Sequence, residues 1–335
     1  MLLAAGATLA VAPKGFATTW SAAQATATRE HKPLYLHFTT TWCGWCRRIE
    51  QDTYTNADVK KALTNYVAAS LDCTVPKGTQ PTGVTKINLG LMARYGGQGF
   101  PFLVILDEDG TAMVTIDGYL PPREFLAEVG KAQALLEEYK TIAKEAVDAG
   151  THYDLALRAL RFYRKLPRSG EQASTVARNL LVLDPENARG DGAEARCVIM
   201  QFLPRAKWEK ETPVLADEIR KLDPENSKGW LEISAQLHAS QELTTADQSE
   251  QNDARVAHAK AAVVLLQALV IQPNRLKKAP EDYMLLAQAY YMIDDLDQVI
   301  ATLEKGLAAD PKGPRADDFT NLIKRFKGEK TKGAG

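Results

Sequence analysis

Two cysteines separated by two residues are the side chains of this sequence best suited to covalent chemistry. Cys43 and Cys46 lie in the run TWCGWCR over residues 41–47, between a short apolar segment and a segment of helical character. Positions i and i+3 of a first helical turn share one face, so the two sulfurs are close enough to form a small disulfide. Unpaired N–H groups at a helix N-terminus stabilise a thiolate and lower a cysteine pKa from ~8.5 to roughly 3.5–7.5. The pair predicts thiol–disulfide exchange, in which the thiolate is the attacking species.

Composition limits the other kinds of function. The chain has 335 residues, a formal net charge of −1 at pH 7 and four cysteines. This length allows two domains, and the balanced charge provides no broad field for binding nucleic acid. Neither a second CxxC nor an HxxxH spacing supplies the further ligands of a zinc site, and no glycine-rich phosphate-binding run is found. We expect neither a metal nor an organic cofactor.

The N-terminal residues 1–17 are mostly small and apolar and end with Gly15 and Ala17 on either side of Phe16. The segment is too short to cross a bilayer. It matches the apolar and cleavage regions of a secretory signal, although the basic start is missing. We therefore predict a leader and a periplasmic or secreted protein. The alternative is a disordered extension, which would leave the protein in the cytoplasm.

The elements predicted between residues 18 and 138 alternate as in an α/β domain. In chain order they are a helix over 20–32, a strand over 34–38, a helix over 47–53, a helix from Asn56, a strand over 65–72, a loop over 75–88, a helix over 89–95, strands over 102–106 and 112–117, and a helix from 124. This order predicts a mixed sheet with helices on both faces.

The motifs in these elements resemble a thioredoxin-fold domain. Trp42-Cys43-Gly44-Trp45-Cys46 follows the first strand, Gly99-Phe100-Pro101 precedes the hairpin, and Lys32-Pro33 and Asp109-Gly110 occupy the expected lead-in and turn. The chain is most similar to exported thioredoxin-like proteins with a Trp-Cys-Gly-Trp-Cys-Lys type of motif. These are related to the C-terminal domain of periplasmic thiol:disulfide interchange proteins.

The resemblance implies a role for each matching residue. Cys43 is expected to be the attacking, more exposed thiol, Cys46 the resolving thiol, and the two together the redox disulfide. Pro101 is expected to be a cis-proline beside that disulfide. An extended substrate segment would bind along the backbone of the preceding residue, and the tryptophans would form an apolar rim. The predicted substrate-binding residues are Trp42, Trp45 and Phe100.

Three positions leave alternatives open. Thioredoxins bury an aspartate six residues before the first cysteine, and this chain has His37 at that position. We predict that His37 is a catalytic residue that relays the proton of Cys46. The alternative is a core histidine with a structural hydrogen bond. Gly44-Trp45 replaces Gly-Pro between the cysteines, so either direction of electron flow is open. Cys73 is either a third redox thiol or a small half-buried side chain.

From residue 139 the composition shifts to Ala, Leu, Arg and Glu without a strand signal. A Leu-Asp-Pro phrase recurs in this half, and its proline ends a helix sharply. Its close and looser copies lie at 183–187, 222–226, 271–274 and 309–312. The spacings are near but above the ~34 residues of a tetratricopeptide unit, which residues 139–325 resemble. The implied role is protein binding; a solenoid that only supports the first domain or dimerises is the alternative. Residues 326–335 are predicted to be a flexible basic tail.

The whole sequence therefore predicts a thioredoxin fold followed by an all-α repeat domain of the tetratricopeptide (TPR) type. The expected activity is that of a protein disulfide oxidoreductase, whose partners are a protein with a disulfide or thiols, a redox donor of unknown identity, and a protein bound to the repeats. No nucleic acid is expected. The alternative is an adaptor whose thioredoxin-like domain is a redox sensor or docking module with little turnover.

Overall fold

The computed structural model describes residues 12–149, 151–271 and 280–333. The chain divides into two compact units, Met1–Val176 and Ala177–Gly335. The first is built on a four-stranded sheet in the order β2-β1-β3-β4, in which β1 and β2 are parallel and the other pairs antiparallel. The strands are β1 Leu34–Thr39, β2 Val67–Asp72, β3 Phe102–Leu106 and β4 Ala112–Asp117.

Helices cover both faces of this sheet, which confirms the predicted architecture. In the first unit they are α1 Trp20–Glu30, α2 Gly44–Arg48, α3 Ala57–Leu63, α4 Gly83–Arg94, α5 Pro122–Ala149 and α6 Tyr153–Tyr163. A π-helical turn over Ile49–Thr53 continues α2. The side chain of Asn56 caps α3 by accepting the N–H groups of Asp58 and Val59.

Strand β1 is buried on both faces and places the cysteine loop at its carboxyl end. Leu34, Leu36 and Phe38 pack in one cluster with residues of α1 and α4. Tyr35 belongs to the opposite cluster, with residues of α3 and α5. Since side chains alternate along a strand, His37 lies on the same face as Tyr35.

Helix α4 begins earlier than the sequence predicted, so the loop expected over residues 75–88 is wrong at its C-terminal end. Val84 and Ile87 are 50% and 59% exposed, whereas Asn88 is 1% exposed. The Asn88 amide donates to the backbone oxygen of Asp72 at 2.9 Å. An apolar pattern could not indicate the first half of this helix, because Val84 and Ile87 face solvent and the polar Asn88 faces the core, whereas Leu91 and Met92 in its second half are buried.

The last residues of the predicted leader pack against the first unit. The backbone N–H of Ala17 donates to the oxygen of Ala68, and the N–H of Ser70 donates to the oxygen of Ala17, each with an N–O distance of 2.8 Å. Ala17 thereby pairs with Ala69 on the edge of β2. The ring of Phe16 lies 6.1 Å from that of Tyr35 and 5.3 Å from that of Tyr54. Cleavage after Ala17 would remove these contacts. The leader itself stays a prediction, since residues 1–11 lie outside the described residues.

The core of the first unit continues into residues that the sequence assigned to the repeats. Ala159, Phe162 and Leu166 belong to the same cluster as Phe125, which packs against the sheet. The rings of Phe162 and Tyr139 are stacked with centroids 6.0 Å apart. The helix predicted to continue from residue 124 through 149 is α5, and α6 packs against it.

The second unit is helical throughout its described residues. Its helices, the first of which crosses the division, are α7 Gly170–Leu183, α8 Gly192–Gln201, α9 Trp208–Leu222, α10 Trp230–Asp247, α11 Asn252–Ile271, α12 Pro280–Met292, α13 Leu296–Ala309 and α14 Ala316–Gly333. From α8 onward, each helix packs against the next one in the chain. The expected helical second half is confirmed.

The two close copies of the repeated phrase fold into the same turn. Helix α7 ends just before Asp184 and α9 just before Asp223, and each carboxylate accepts backbone N–H groups from the turn that follows. Asn187 and Asn226 both have left-handed backbones, with φ of 54° and 53°. Each Asn side chain then accepts an N–H of the next helix. The phrase therefore ends a helix as predicted. The copy over 271–274 lies mostly outside the described residues.

The predicted flexible tail from residue 326 is wrong for its described part, because α14 continues to Gly333. Phe326 is 8% exposed, and its ring lies 5.4 Å from that of Tyr291. Lys327 forms an ion pair with Glu304 at 2.7 Å. The basic residues of this segment indicated a solvated tail, and composition alone could not show that Phe326 among them is buried.

Helix α11 is long and apolar enough to cross a membrane by length and composition alone. It packs against both α10 and α12 in the second unit. A core helix passes the same test, so this observation is weak evidence for a membrane span.

Candidate active site

A disulfide joins Cys43 and Cys46 at the start of α2, with Cα atoms 5.2 Å apart. Cys43 is the N-cap residue of α2, and its Sγ accepts the N–H of Cys46 at 3.0 Å. Both residues are nearly buried, 4% exposed for Cys43 and 1% for Cys46. The first helical turn therefore directs a backbone donor at the sulfur of Cys43.

The loop before the disulfide is held from two sides. The N–H of Thr41 donates to the hydroxyl of Thr74 at 2.9 Å, and that hydroxyl donates to Asp72 at 2.5 Å. The guanidinium of Arg47 donates to the backbone oxygen of Thr41, also at 2.9 Å. These bonds fix the loop between the end of β2 and α2. The sequence did not single out Thr41 or Thr74.

The two arginines after Cys46 differ in their partners. Arg48 is paired with Asp52 at 3.1 Å. Hydrogen bonds from Tyr119 and from Arg48 lower the pKa of the Asp52 carboxyl, so the carboxylate balances the charge of Arg48. Arg47 instead donates to a neutral backbone oxygen. Burial raises the pKa of the Glu50 carboxyl and the charge of Arg47 opposes this rise, so Arg47 also has an acidic neighbour.

The Phe100–Pro101 peptide bond is cis, in agreement with the resemblance. In the sheet, Phe38 is the partner of Phe102, so Pro101 lies next to the point where β1 enters the cysteine loop. The ring of Trp42 meets the ring of Phe100 edge to face, with centroids 5.7 Å apart. The structure thus brings these predicted site residues together.

Trp45 has a partner that the sequence did not reveal. Its ring stacks on that of Tyr119 with centroids 5.6 Å apart and an interplanar angle of 29°. The Tyr119 hydroxyl donates to Asp52 at 2.6 Å. Because Asp117 at the end of β4 pairs with Phe102 at the start of β3, the residues after β4 lie near Pro101. This register is the signal from which Tyr119 could have been predicted.

His37 is fully buried, and in the described part of the chain neither ring nitrogen has a hydrogen-bond partner. Burial lowers its pKa to about 3, so the ring is neutral near pH 7. The closest ring is that of Tyr54, 5.6 Å away and edge to face. A structural hydrogen bond to His37 is not found among the described residues, and both interpretations of this residue stay predictions. The neutral ring remains available for the proposed relay.

The other two cysteines are buried. Cys73 is 2% exposed, and burial followed by the charge of Asp72 raises the pKa of its thiol to about 12. This favours the interpretation as a small core side chain. Cys197 is also 2% exposed and donates to the backbone oxygen of Trp230 at 3.5 Å. Within the described ranges, no group of three His, Cys, Asp or Glu side chains is arranged to hold a metal ion.

Residues 20–133, which include the sheet and the disulfide, match a family model described as a thioredoxin-like domain. The first unit contains a thioredoxin-like domain. The predicted fold class, with this domain followed by many helices, is confirmed. The second unit lies outside the match, so its resemblance to tetratricopeptide repeats remains a proposal.

Curated relatives match the thioredoxin-like domain over part of their length. "Disulfide bond reductase DsbH" of Chlamydia pneumoniae is 32% identical over 95 residues, 28% of this chain and 56% of that protein. "Thiol:disulfide interchange protein DsbD" of Haemophilus ducreyi is 29% identical over 98 residues, 29% of this chain and 16% of that protein. The chain thus spans less than two thirds of the length of these relatives.

Solved structures also match this domain. The oxidised C-terminal domain of DsbD from Neisseria meningitidis is 25% identical, and the match covers 35% of this chain and 97% of that one, with a TM-score of 0.29.

Proposed function

We propose that this protein is a thiol–disulfide oxidoreductase that reduces protein disulfides through Cys43 and Cys46. The observation that carries the proposal is the Cys46 N–H directed at the Cys43 sulfur at 3.0 Å. A charge-assisted bond of this kind favours a thiolate on Cys43 once the disulfide is reduced. The names of the relatives, a disulfide bond reductase and thiol:disulfide interchange proteins, support the same chemistry.

The reaction proceeds by two exchanges. The Cys43 thiolate attacks one sulfur of the substrate disulfide, a mixed disulfide forms, and the other substrate sulfur leaves as a thiolate that takes up a proton. The Cys46 thiol gives up its proton and its sulfur attacks the Cys43 sulfur, so the Cys43–Cys46 disulfide forms and the second substrate sulfur leaves as a thiolate that takes up a proton. Two electrons have passed to the substrate. A dithiol donor must return two electrons and two protons before the next cycle.

Three parts of the site support substrate binding next to the reacting sulfur. Pro101 is the proposed contact beside the mixed disulfide, and the backbone of Phe100 is the proposed edge for an extended substrate segment. Trp42 and Trp45 are 64% and 61% exposed at the rim of the site. A folded client would therefore present a mobile, extended cysteine segment to this surface.

His37 is the proposed relay for the Cys46 proton. The neutral ring has one N–H and one lone pair, and neither has a hydrogen-bond partner among the described residues. A group of this kind accepts a proton on one nitrogen and donates from the other. Replacing His37 by Leu should therefore slow the second exchange and let the mixed disulfide on Cys43 accumulate, which intact-mass spectrometry would detect.

The helical second unit is proposed to bind a protein partner. Its support is the repeated turn at Asp184 and Asp223 and the serial packing of helices, an arrangement typical of repeat proteins that bind through an extended surface. A periplasmic or secreted location is proposed from the apolar residues 1–17.

The oxidoreductase function is tested with the full-length protein in dithiothreitol-driven reduction of insulin. Wild type should accelerate the reaction over dithiothreitol alone, and Cys43→Ser should abolish the acceleration. Cys73→Ser is the matched control and should retain the wild-type rate, because that thiol is buried in the core. If wild type and Cys43→Ser were equally inactive while the second unit still bound a protein, the adaptor alternative would replace this proposal.

A further inference from the structure

We propose that two pairs of aromatic rings beside the disulfide select protein substrates with an aromatic side chain next to the reacting cysteine. One wall is Trp42 on Phe100, and the other is Trp45 on Tyr119. This inference rests on the oxidoreductase function proposed above and adds a substrate class to it.

Both walls lie directly beside the reacting sulfur. Trp42 precedes Cys43, and Trp45 stands between the two cysteines, so a substrate bonded to Cys43 has a tryptophan on either side in the chain. The two rings are 64% and 61% exposed, whereas Trp20, Trp208 and Trp230 are more deeply covered. Two exposed indoles near one sulfur form an apolar surface, and a bound substrate that covers this surface would gain binding free energy.

The second wall is fixed before a substrate arrives. Tyr119 donates to Asp52 at 2.6 Å, and the Arg48 guanidinium lies 5.9 Å from the centre of the Tyr119 ring. Arg48 is itself bonded to Asp52 at 3.1 Å. Tyr119 is thus held at its hydroxyl and over its ring, and Trp45 stacks on it. Rings held in place lose little freedom when a substrate binds, so less of the energy of their contacts is spent on ordering them.

A cavity of about 520 Å³ next to the first wall is open to a substrate backbone. Its lining residues are Gly96, Gln98, Gly99, Phe100, Asp117 and Gly118. Apart from the glycine itself and its neighbours in the chain, no heavy atom of the described residues lies within 4 Å of the place where a Cβ on Gly99 or Gly118 would stand. The N–H of Gly118 bonds to the backbone oxygen of Pro101 at 2.9 Å, which ties this loop to the cis-proline. A main chain can approach there while the neighbouring side chain meets the rings.

The ring geometry favours aromatic over aliphatic neighbours. Trp42 and Phe100 meet edge to face at 89°, and Trp45 and Tyr119 are stacked at 29°. A ring of the substrate can stack on or meet the edge of either pair, and such an aromatic contact adds binding free energy beyond that from the buried area. An aliphatic side chain gains binding free energy only from the area that it buries. Substrate segments with Phe, Tyr or Trp beside the cysteine should therefore react faster.

The test compares three disulfide-linked peptides that differ only in the residues flanking the cysteine, which are Phe, Leu or Ser. With the full-length reduced protein we expect kcat/KM to be about tenfold higher for Phe than for Ser, with Leu between them. Tyr119→Leu should reduce the Phe-to-Ser ratio to about threefold or less. Tyr291→Leu is the matched control, since Tyr291 is 46% exposed in the second unit, and should leave the ratio unchanged.

The ratio is measured within each protein, so a partial loss of folded enzyme cancels. Equal kcat/KM for the three peptides, or equal values for Phe and Leu, would overturn the aromatic selection while leaving the oxidoreductase function intact. If the protein reduced none of the peptides and no small-molecule disulfide either, the proposed oxidoreductase function would be overturned. The aromatic selection, which rests on that function, would be overturned with it.

Discussion

Lowering the pH through the range in which an ordinary histidine titrates should destabilise the first unit because of His37. Burial lowers the pKa of this ring from 6.5 to about 3. Below the pKa of the unfolded chain, the unfolded state binds a proton that the folded state excludes, so the free energy of unfolding falls as the pH falls. One pKa unit corresponds to about 1.36 kcal/mol, so His37 should cost roughly 2 kcal/mol of stability between about pH 7.5 and about pH 5.

Hydrogen exchange of the backbone amides in β1 measures this effect in the full chain without requiring the two units to unfold together. After correction for the intrinsic rate, wild-type β1 should lose roughly 30-fold of its protection over this pH interval through His37. His37→Leu should lack this component, because the variant has no ring to protonate. His31→Asn is the matched control: the His31 side chain is 82% exposed, and its backbone is left-handed with φ of 50°, which Asn tolerates.

The decisive quantity is the difference between wild type and His37→Leu in their pH dependence. It does not depend on how much the substitution changes stability at neutral pH. Equal pH dependence in the two proteins would refute the reasoning, because it would mean that His37 takes up a proton as easily in the folded state as in the unfolded chain.

Three further changes test other parts of the structure. Phe16→Ala should lower the free energy of unfolding of the first unit by about 2 kcal/mol, measured by urea titration, because it removes a half-buried ring from Tyr35. Gly306→Ala should destabilise the second unit by about 1–3 kcal/mol, seen as faster amide exchange in α14, because the new Cβ would clash with the Phe319 ring. In the reduced native protein, Cys73 should resist iodoacetamide, since its thiol is buried with a pKa of about 12.

Each of these three predictions would be contradicted by a specific result. Unchanged stability in Phe16→Ala would mean that the segment before α1 is not part of the folded unit. Normal exchange in Gly306→Ala would contradict the close packing of α13 on α14. Alkylation of Cys73 at the rate of an ordinary exposed thiol would restore the interpretation as a third redox cysteine.

The strands of the sheet could be predicted from the sequence because each one is indicated by residues within or next to it. The apolar and aromatic run of β1 and the Asp109-Gly110 turn between β3 and β4 each indicate their own element. The cysteine pair was recognisable for the same reason, since i and i+3 spacing at a helix start fixes the geometry that matters. The Leu-Asp-Pro phrase likewise marked the ends of helices in the second half.

What the sequence could not indicate depends on contacts between distant residues. The predicted β3–β4 hairpin could place Tyr119 near Pro101, but it could not indicate that Tyr119 stacks on Trp45 and bonds to Asp52. Asn88 is buried by a bond to the backbone of Asp72, which reverses the polarity expected of a helix. Phe162 completes the core of the first unit although its own segment has the composition of the repeats.

Trapping of the mixed disulfide tests the central claim most directly. Cys46→Ala in the full-length protein lacks the resolving thiol, so reaction with a disulfide-bonded protein should stop at a covalent complex. Peptide mass spectrometry should locate the linkage at Cys43, and the complex should be absent in a Cys43→Ala, Cys46→Ala double variant. A linkage at Cys73 or Cys197, or no complex at all, would contradict the assignment of Cys43 as the attacking thiol.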